Sequence, residues 1–272
     1  MKAAKLFAIS VIVALLLSLA VPVAAAPPAD NPGKGPPEIN KIVFVHYPKG
    51  VPAKGGIPGQ PKDKEENGGG KQWYKYSGIH WASSDLPVEC LVNLDGVAES
   101  DKTAFFGGIE AAFQTWEDEP NSYMDFRYDG TTSIGMSSLN DKMDGYNVVG
   151  WANISDKYQG AIAVAMVWYN PLTGEIVEVD TAMNSDPAFK WWQNSVSGDP
   201  DKAKWQYEDT DAYDVDVQNI MTHEAGHWLM LGDLYNKPAN DQTMYGRSAE
   251  FELQKRSLES GDEAGIQEIY PE

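Results

Sequence analysis

Two histidines four residues apart, with a glutamate directly after the first, are the part of this chain best equipped for chemistry: His223-Glu224-Ala225-Gly226-His227. On a helix, positions four apart stand one turn above each other on the same face, so both imidazoles can meet one metal ion. Glu224 points about 100° away around the axis. There it borders the ion without competing for it and can take a proton from a water that the ion activates. This is the physical content of the H-E-x-x-H pattern, a zinc site with its own general base. The chain has four histidines, His46, His80, His223 and His227, so half of them fall here. Val215, Val217, Ile220 and Met221 precede the pattern at near-helical spacing and predict a half-buried helix, with Asp214 as its N-cap.

The residues that follow carry a family resemblance. His223-Glu224-x-x-His227-x-x-Met230-x-x-Asp233 resembles the long metzincin motif, in which a glycine stands three residues after the second histidine and a third ligand three after that. Gln242-Thr243-Met244-Tyr245-Gly246 resembles the metzincin Met-turn, and Gly265-Ile266-Gln267-Glu268-Ile269-Tyr270 resembles the last helix of the matrixin branch. More loosely, Leu86–Asn93 is similar to the first strand of that family and Ala104–Trp116 to its first long helix. Ala161–Trp168 and Glu178-Val179-Asp180 are similar to the strands before its active-site helix. The likeness runs from about Trp73 to Tyr270.

The resemblance implies that Asp233 is the third ligand. The family's usual third ligand is histidine, but its snapalysin-like members use aspartate, and no histidine follows His227. A straight helix would carry Asp233 about 9 Å along the axis from His227, whereas zinc–oxygen bonds are about 2.0–2.2 Å. Asp233 can therefore join the site only if the chain turns sharply after His227. The family uses glycine for that turn; here the turn falls to Met230 itself or to Gly232 two residues later. Two neutral imidazoles and a carboxylate would leave a zinc site near +1 instead of +2.

The same resemblance implies that Met244 forms an apolar floor below the metal. Tyr245 either borders the pocket for a substrate side chain or is an ordinary loop tyrosine. The implied fold is α+β: a twisted, mostly parallel sheet with an antiparallel edge strand, then the active-site helix, the Met-turn and a C-terminal helix. The edge strand would hold an extended peptide by main-chain hydrogen bonds. The expected activity is zinc-dependent endopeptidase, with one catalytic Zn2+ on His223, His227 and Asp233 and with Glu224 as general base. Two other readings stand beside it. One is a thermolysin-like enzyme whose third ligand is Glu250 or Glu252. The other is an inactive secreted binding protein on the same fold.

Around these residues the chain organises as follows. Lys2 and Lys5, the apolar run Leu6–Val23 and Ala24-Ala25-Ala26 read as a signal peptide over residues 1–26. The chain is then expected to be secreted, with no membrane contact once the leader is removed. Residues 27–72 read as a Pro/Gly-rich arm or short pro-segment, in which Lys41–Tyr47 alternates enough to form a short strand. Residues 73–272 read as the catalytic domain, whose globular core is expected to begin near Trp73. Within it, β segments are expected at Trp73–Trp81, Pro87–Asn93 and, in short pieces, Asn121–Asn153. Ala161–Tyr169 turns at Asn170–Gly174 into a second strand, Glu175–Val179. A helix capped by Ser100 or Asp101 presents Phe105, Ile109, Ala112, Phe113 and Trp116. Ser260-Gly261-Asp262-Glu263 fits a capping box that opens the last helix.

With 42% hydrophobic residues in 272, the chain can build one sizeable core. A net charge of −19 argues against nucleic acid and anionic membranes as partners; it permits a protein or peptide substrate and reads equally as an adaptation for solubility or salt. A monomer is expected. Cys90 is the only cysteine, so no internal disulfide can form. It lies in a strand-like stretch and reads as a small buried residue, which leaves cysteine-switch latency unsupported. Asn140–Gly145 resembles a calcium loop but has Lys142 where a ligand is needed and no closing glutamate, so Ca2+ is possible but unsupported and a plain turn is expected. His46 and His80 read as isolated, and Asp180 as structural.

Overall fold

Near-continuous apolar runs such as Ala163-Val164-Ala165-Met166-Val167 have no polar face to give to water, so they must sit inside a sheet covered on both sides. The computed structural model, which describes residues 38–50, 73–193 and 212–272, builds the molecule around such a sheet. The strands are β1 (Asn40–Pro48), β2 (Val88–Asn93), β3 (Phe126–Thr131), β4 (Val148–Ala152), β5 (Ala163–Tyr169), β6 (Ile176–Asn184), β7 (Phe189–Trp192), β8 (Tyr213–Asp216) and β9 (Arg247–Ser248). Seven of them form the main sheet, in the order β3-β2-β4-β6-β5-β1-β9, while β7 and β8 form a small parallel pair. The signal-peptide reading (1–26), residues 27–37 and residues 51–72 fall outside the described residues.

The sheet is mostly parallel in its β3-β2-β4-β6 half. Strand β5 runs antiparallel to β6. The tight turn between them explains this: Asn170 accepts at its carbonyl from Gly174 N (2.8 Å) and at Oδ1 from Leu172 N (2.9 Å), and Gly174 takes the left-handed φ of +78° that closes it. The antiparallel strand is not at the edge, however. Its outer side is filled by β1, antiparallel in the register Asn40↔Tyr169 to His46↔Ala163. β1 can lie there because it is apolar on both faces: Ile42 and Phe44 join the main core, Val45 and Tyr47 a second cluster with Ile154, Val164 and Met166. The compact unit therefore reaches back well before Trp73, into the segment read as an arm.

Three helices complete the described fold: α1 (Lys102–Glu117), α2 (Val217–Trp228) and α3 (Ser260–Ile269). The expected face of α1 is buried as read. Its Trp116 indole donates to the Thr222 carbonyl of α2 (2.8 Å), which locks the two helices together. α2 is buried nearly all round rather than on one face. Its N-cap is Asp216, not Asp214. β8 stays paired with β7 as far as Trp192↔Asp216, so the chain is still extended at Asp214. Asp216 then accepts from Asn219 N (2.8 Å) and is gripped by the Arg256 guanidinium. α3 likewise starts from a capping box one residue earlier than read, Glu259 with Asp262.

Trp73–Trp81 contributes single bridges at Tyr76 and His80 in place of a strand, and its Trp81 indole closes over the end of α2 by donating to the Trp228 carbonyl (2.8 Å). Cys90 is buried, and burial raises its thiol pKa. At the Asn140–Gly145 turn the carboxylates already hold donors: Asp141 takes Lys41 and Lys157, and Asp144 takes the Ser137 hydroxyl and Tyr146 N. Among the described residues, no helix is long and apolar enough to cross a membrane.

Candidate metal centre

α2 places His223 and His227 one turn apart, with their Nε2 atoms 3.2 Å from each other. Each ring is fixed from behind. His223 Nδ1 lies 2.7 Å from the Thr243 carbonyl and His227 Nδ1 lies 2.8 Å from the Leu231 carbonyl. A carbonyl can only accept, so both Nδ1 atoms carry the proton and both Nε2 lone pairs point inward.

The helix then stops abruptly. Met230 N donates to the His227 carbonyl and Leu231 N to that of Gly226 (2.9 and 3.0 Å), the paired bonds of a Schellman end. Such an end needs a left-handed residue, and Met230 supplies it at φ +66°; Gly232 does not adopt a positive φ. Gly232 instead lets the chain pass close to Lys75, whose carbonyl accepts from its N–H at 2.9 Å. The reversal brings Asp233 Oδ1 to 3.2 Å from His223 Nε2 and 3.5 Å from His227 Nε2. Tyr235 hydroxyl donates to Asp233 Oδ2 (3.1 Å), which turns Oδ1 toward the imidazoles. Gly246 lets this pairing close up, since a Cβ there would stand 2.8 Å from Asp233 Oδ1.

These three atoms fit a metal ion. Ligands on a tetrahedral ion with bonds of about 2.0–2.1 Å stand about 3.3–3.4 Å apart, and the three separations here are 3.2, 3.2 and 3.5 Å. Two inward lone pairs and a carboxylate oxygen at such spacing repel one another unless positive charge lies between them. The electrostatics of the three groups agree. Burial works to neutralise Asp233, yet the two imidazoles outweigh it and hold its carboxyl well below the usual range. Burial also opposes the charged form of His227, but the Asp233 carboxylate raises its pKa above the ordinary histidine value. Burial pushes His223 down to about 4. The cluster therefore favours one positive charge at its centre, and among the described residues His223, His227 and Asp233 form a group able to hold a metal.

Glu224 borders this group, fully buried. Burial raises its pKa to about 8. Its Oε2 makes no hydrogen bond within the described chain, while Oε1 lies 3.1 Å from His46 Nδ1. His46, read as isolated, is thus part of the centre, and it joins a second potential metal-holding group with His223 and Glu224. Its ring packs on that of His223 (centroids 4.0 Å apart), and two residues earlier Phe44 stacks flat on His227 (4.0 Å, 5°). His46 Nε2 lies 3.0 Å from the Ser248 hydroxyl, which donates to Glu252 Oε1 (3.2 Å). With Ser248 donating onward, His46 donates from Nε2 and accepts at Nδ1 from a protonated Glu224, in keeping with the raised carboxyl. Sequence did hold one signal for His46. Strand parity puts it on the same face as Ile42 and Phe44, pointing into the core.

Met244 lies beneath α2. Its turn is pinned by Asp262 of α3, whose carboxylate accepts from Thr243 N (2.7 Å) and Met244 N (3.0 Å) as well as from its own Glu259 N. Sequence gives that aspartate no role, because the capping box it offers pairs Ser260 with Glu263. The rival ligands lie elsewhere: Glu252 is engaged by Lys49, Lys255 and Ala249 N, and Glu250 is exposed. His80 is held near the Gly78 carbonyl. Asp180 accepts from Ser138 and Val148 N inside the fold. Tyr245 is half-buried beneath the ammonium groups of Lys49 and Lys255. No protein-family model and no curated protein matches this chain.

Proposed function

We propose that this chain is a zinc-dependent endopeptidase of the metzincin kind, exported on its N-terminal leader and acting on peptide bonds. The observation that carries the reading is the convergence of His223 Nε2, His227 Nε2 and Asp233 Oδ1, with a buried carboxylate, Glu224, directly alongside. Met244 under the active helix adds support, because it belongs to the same expected arrangement.

His223, His227 and Asp233 would hold the ion, and their backing partners Thr243, Leu231 and Tyr235 would keep each donor atom aimed. When bound, zinc supplies Lewis acidity that polarises a carbonyl and acidifies water. Glu224, ionised once His46 no longer accepts its hydrogen bond and a cation lies beside it, would take the proton of the attacking water as the oxygen–carbon bond forms. It then delivers that proton to the amine nitrogen as the carbon–nitrogen bond breaks. Its burial suits both halves of the task, since a carboxyl of raised proton affinity accepts a proton readily and holds it until the leaving group needs it. The position of Asp233 favours this assignment over a ligand at Glu250 or Glu252.

The test is a zinc titration of the full chain against a chromophoric chelator, followed by assay on quenched peptides before and after limited proteolysis of the N-terminal region, since the ligands of the intact chain are buried. One zinc per chain is expected. Hydrolysis should vanish with chelator and return with zinc. Glu224→Gln should keep the zinc and lose activity by about 10²–10⁴-fold, the usual share of a general base. Full activity in that variant would remove Glu224 from the mechanism.

A further inference from the structure

The residues of the site are shut off from solvent. His46, His223 and Glu224 have no exposed surface, His227 shows 1% and Asp233 3%. An enzyme that cuts proteins must admit an extended chain, so some covering element has to leave. Much of that cover is a single element, β1. Its Phe44 lies flat on His227, its His46 packs on His223, and His46 Nδ1 occupies Glu224 Oε1.

Its sides are as telling as its face. β1 lies in a slot between β5 on one flank and β9 on the other, which begins three residues after Met244. It pairs antiparallel with β5 through seven registered positions, and at its end Lys49 N donates to the Ser248 carbonyl (2.8 Å). Strand addition to a sheet edge is a general way to hold an extended peptide, and without β1 the outer side of β5 would be such an edge. β6 pairs with the other side of β5 on its own. In sequence, β1 is flanked on both sides by stretches rich in Pro, Gly and charge.

We propose that Asn40–Pro48 is an internal occupant of the peptide-binding groove of this site, with His46 as the residue that caps Glu224, so that the intact chain is closed to substrate until this strand is displaced or cut away. The inference rests on the hydrolase reading above. It also states what the groove accepts: an extended peptide antiparallel to β5, with apolar or aromatic side chains on the strand face where Ile42, Phe44 and His46 now stand. The strand is a firm plug. Val45 and Tyr47 are buried on its other face, Lys41 holds the Ser138 carbonyl and Asp141, and Lys49 holds Glu252. Spontaneous opening is accordingly rare, and release needs a cut in the chain or a competing strand.

The experiment uses the full chain with the recognition sequence of a specific protease inserted after Gly50, which is exposed and has open space around its Cα. Zinc-loaded samples are compared before cutting and after cutting and separation of the N-terminal fragment, for hydrolysis of a quenched peptide, the rate at which a chelator strips zinc, and binding of a labelled synthetic peptide of residues 40–48. The cut sample should hydrolyse and lose zinc at least about 10-fold faster. The synthetic peptide should bind it and restore the slow rates, and its His46→Ala form should do so more weakly. In the uncut chain, His46→Ala should speed zinc stripping several-fold. Equal rates before and after removal of the strand would overturn the proposal, as would loss of the cooperative melt on its removal, which would make β1 a structural strand only. If zinc stripping and peptide binding respond while neither sample hydrolyses anything, the occupied groove stands and the hydrolase reading fails.

Discussion

Met244 rests its sulfur directly on Gly226, so close that a Cβ built on that glycine would stand 2.1 Å from Sδ and 2.9 Å from the Trp116 ring. Gly226 lies between the two histidines in sequence, on the flank of α2 beside the face that carries them. The contact sets how near the Met244 turn can come to the helix, and the same turn provides the Thr243 carbonyl that orients His223. Gly226→Ala should therefore destabilise the protein by about 1–3 kcal/mol through overpacking, although alanine is the better helix former by up to about 1 kcal/mol. It should weaken zinc binding as well. Adding Met244→Ala should recover part of the loss, and urea melts of the two single variants and the double variant would measure the coupling. Additive effects would mean that the two side chains do not meet.

Asp233 and Tyr235 form the next testable pair. Removing the carboxylate with Asp233→Ala leaves two imidazoles and should weaken zinc binding by more than 100-fold. Tyr235→Phe removes only the hydrogen bond that aims the carboxylate (3.1 Å), and a loss of about 10–100-fold is expected for such an outer partner. Chelator competition on the full chain gives both numbers. Unchanged affinity in Asp233→Ala would move the third ligand elsewhere.

Met230 holds a backbone conformation that side chains avoid, at φ +66°, at a cost of about 1–2 kcal/mol. Its side chain is buried in the main core. Met230→Gly relieves the first and forfeits the second, which for a buried methionine is worth about 2–5 kcal/mol. A net loss of about 1–3 kcal/mol in stability is expected, with zinc affinity within a few-fold of the parent because glycine keeps the turn. A large drop in affinity with stability intact would show that the side chain, and not the backbone bend, positions Asp233.

These residues also mark where sequence is a good guide. His223, Glu224 and His227 were legible because a single helix fixes their relation. Asp233 was legible only through resemblance, since its approach depends on a left-handed Met230, and nothing in a methionine announces that conformation. Sequence spacing points to Asp214 as the helix cap, but Asp216 holds that place because the length of β8 is set by its pairing with β7. Asp262 has no role in the Ser260–Glu263 box that the sequence offers, yet it both caps α3 and pins the Met244 turn, whose backbone lies 18 to 19 residues earlier. His46 stands 178 residues from the glutamate it touches, and its strand sits in what composition marks as an arm. Local geometry was readable, whereas contacts made by closing the sheet were not.

Asp180 gives the molecule a pH dependence that can be worked out in sign. Burial pushes its carboxyl up to about 7, against the pull of hydrogen bonds from Ser138 and Val148 N and with some repulsion from Glu178. The unfolded value is about 3.9. Between about pH 4 and 7 the native state thus binds a proton that the unfolded state does not. Stability contributed by this group falls as pH rises through that window and levels off above it, by at most about 1.4 kcal/mol per pH unit. Asp180→Asn removes the titration yet keeps an oxygen for Val148 N and an amide that can donate to Ser138. Relative to the parent, the variant should gain stability between pH 5 and pH 8, by about 1–3 kcal/mol in paired urea melts. Because both proteins share every other titrating group, including those of the metal centre, the difference isolates Asp180. Parallel stability curves would mean that its carboxyl is ionised throughout.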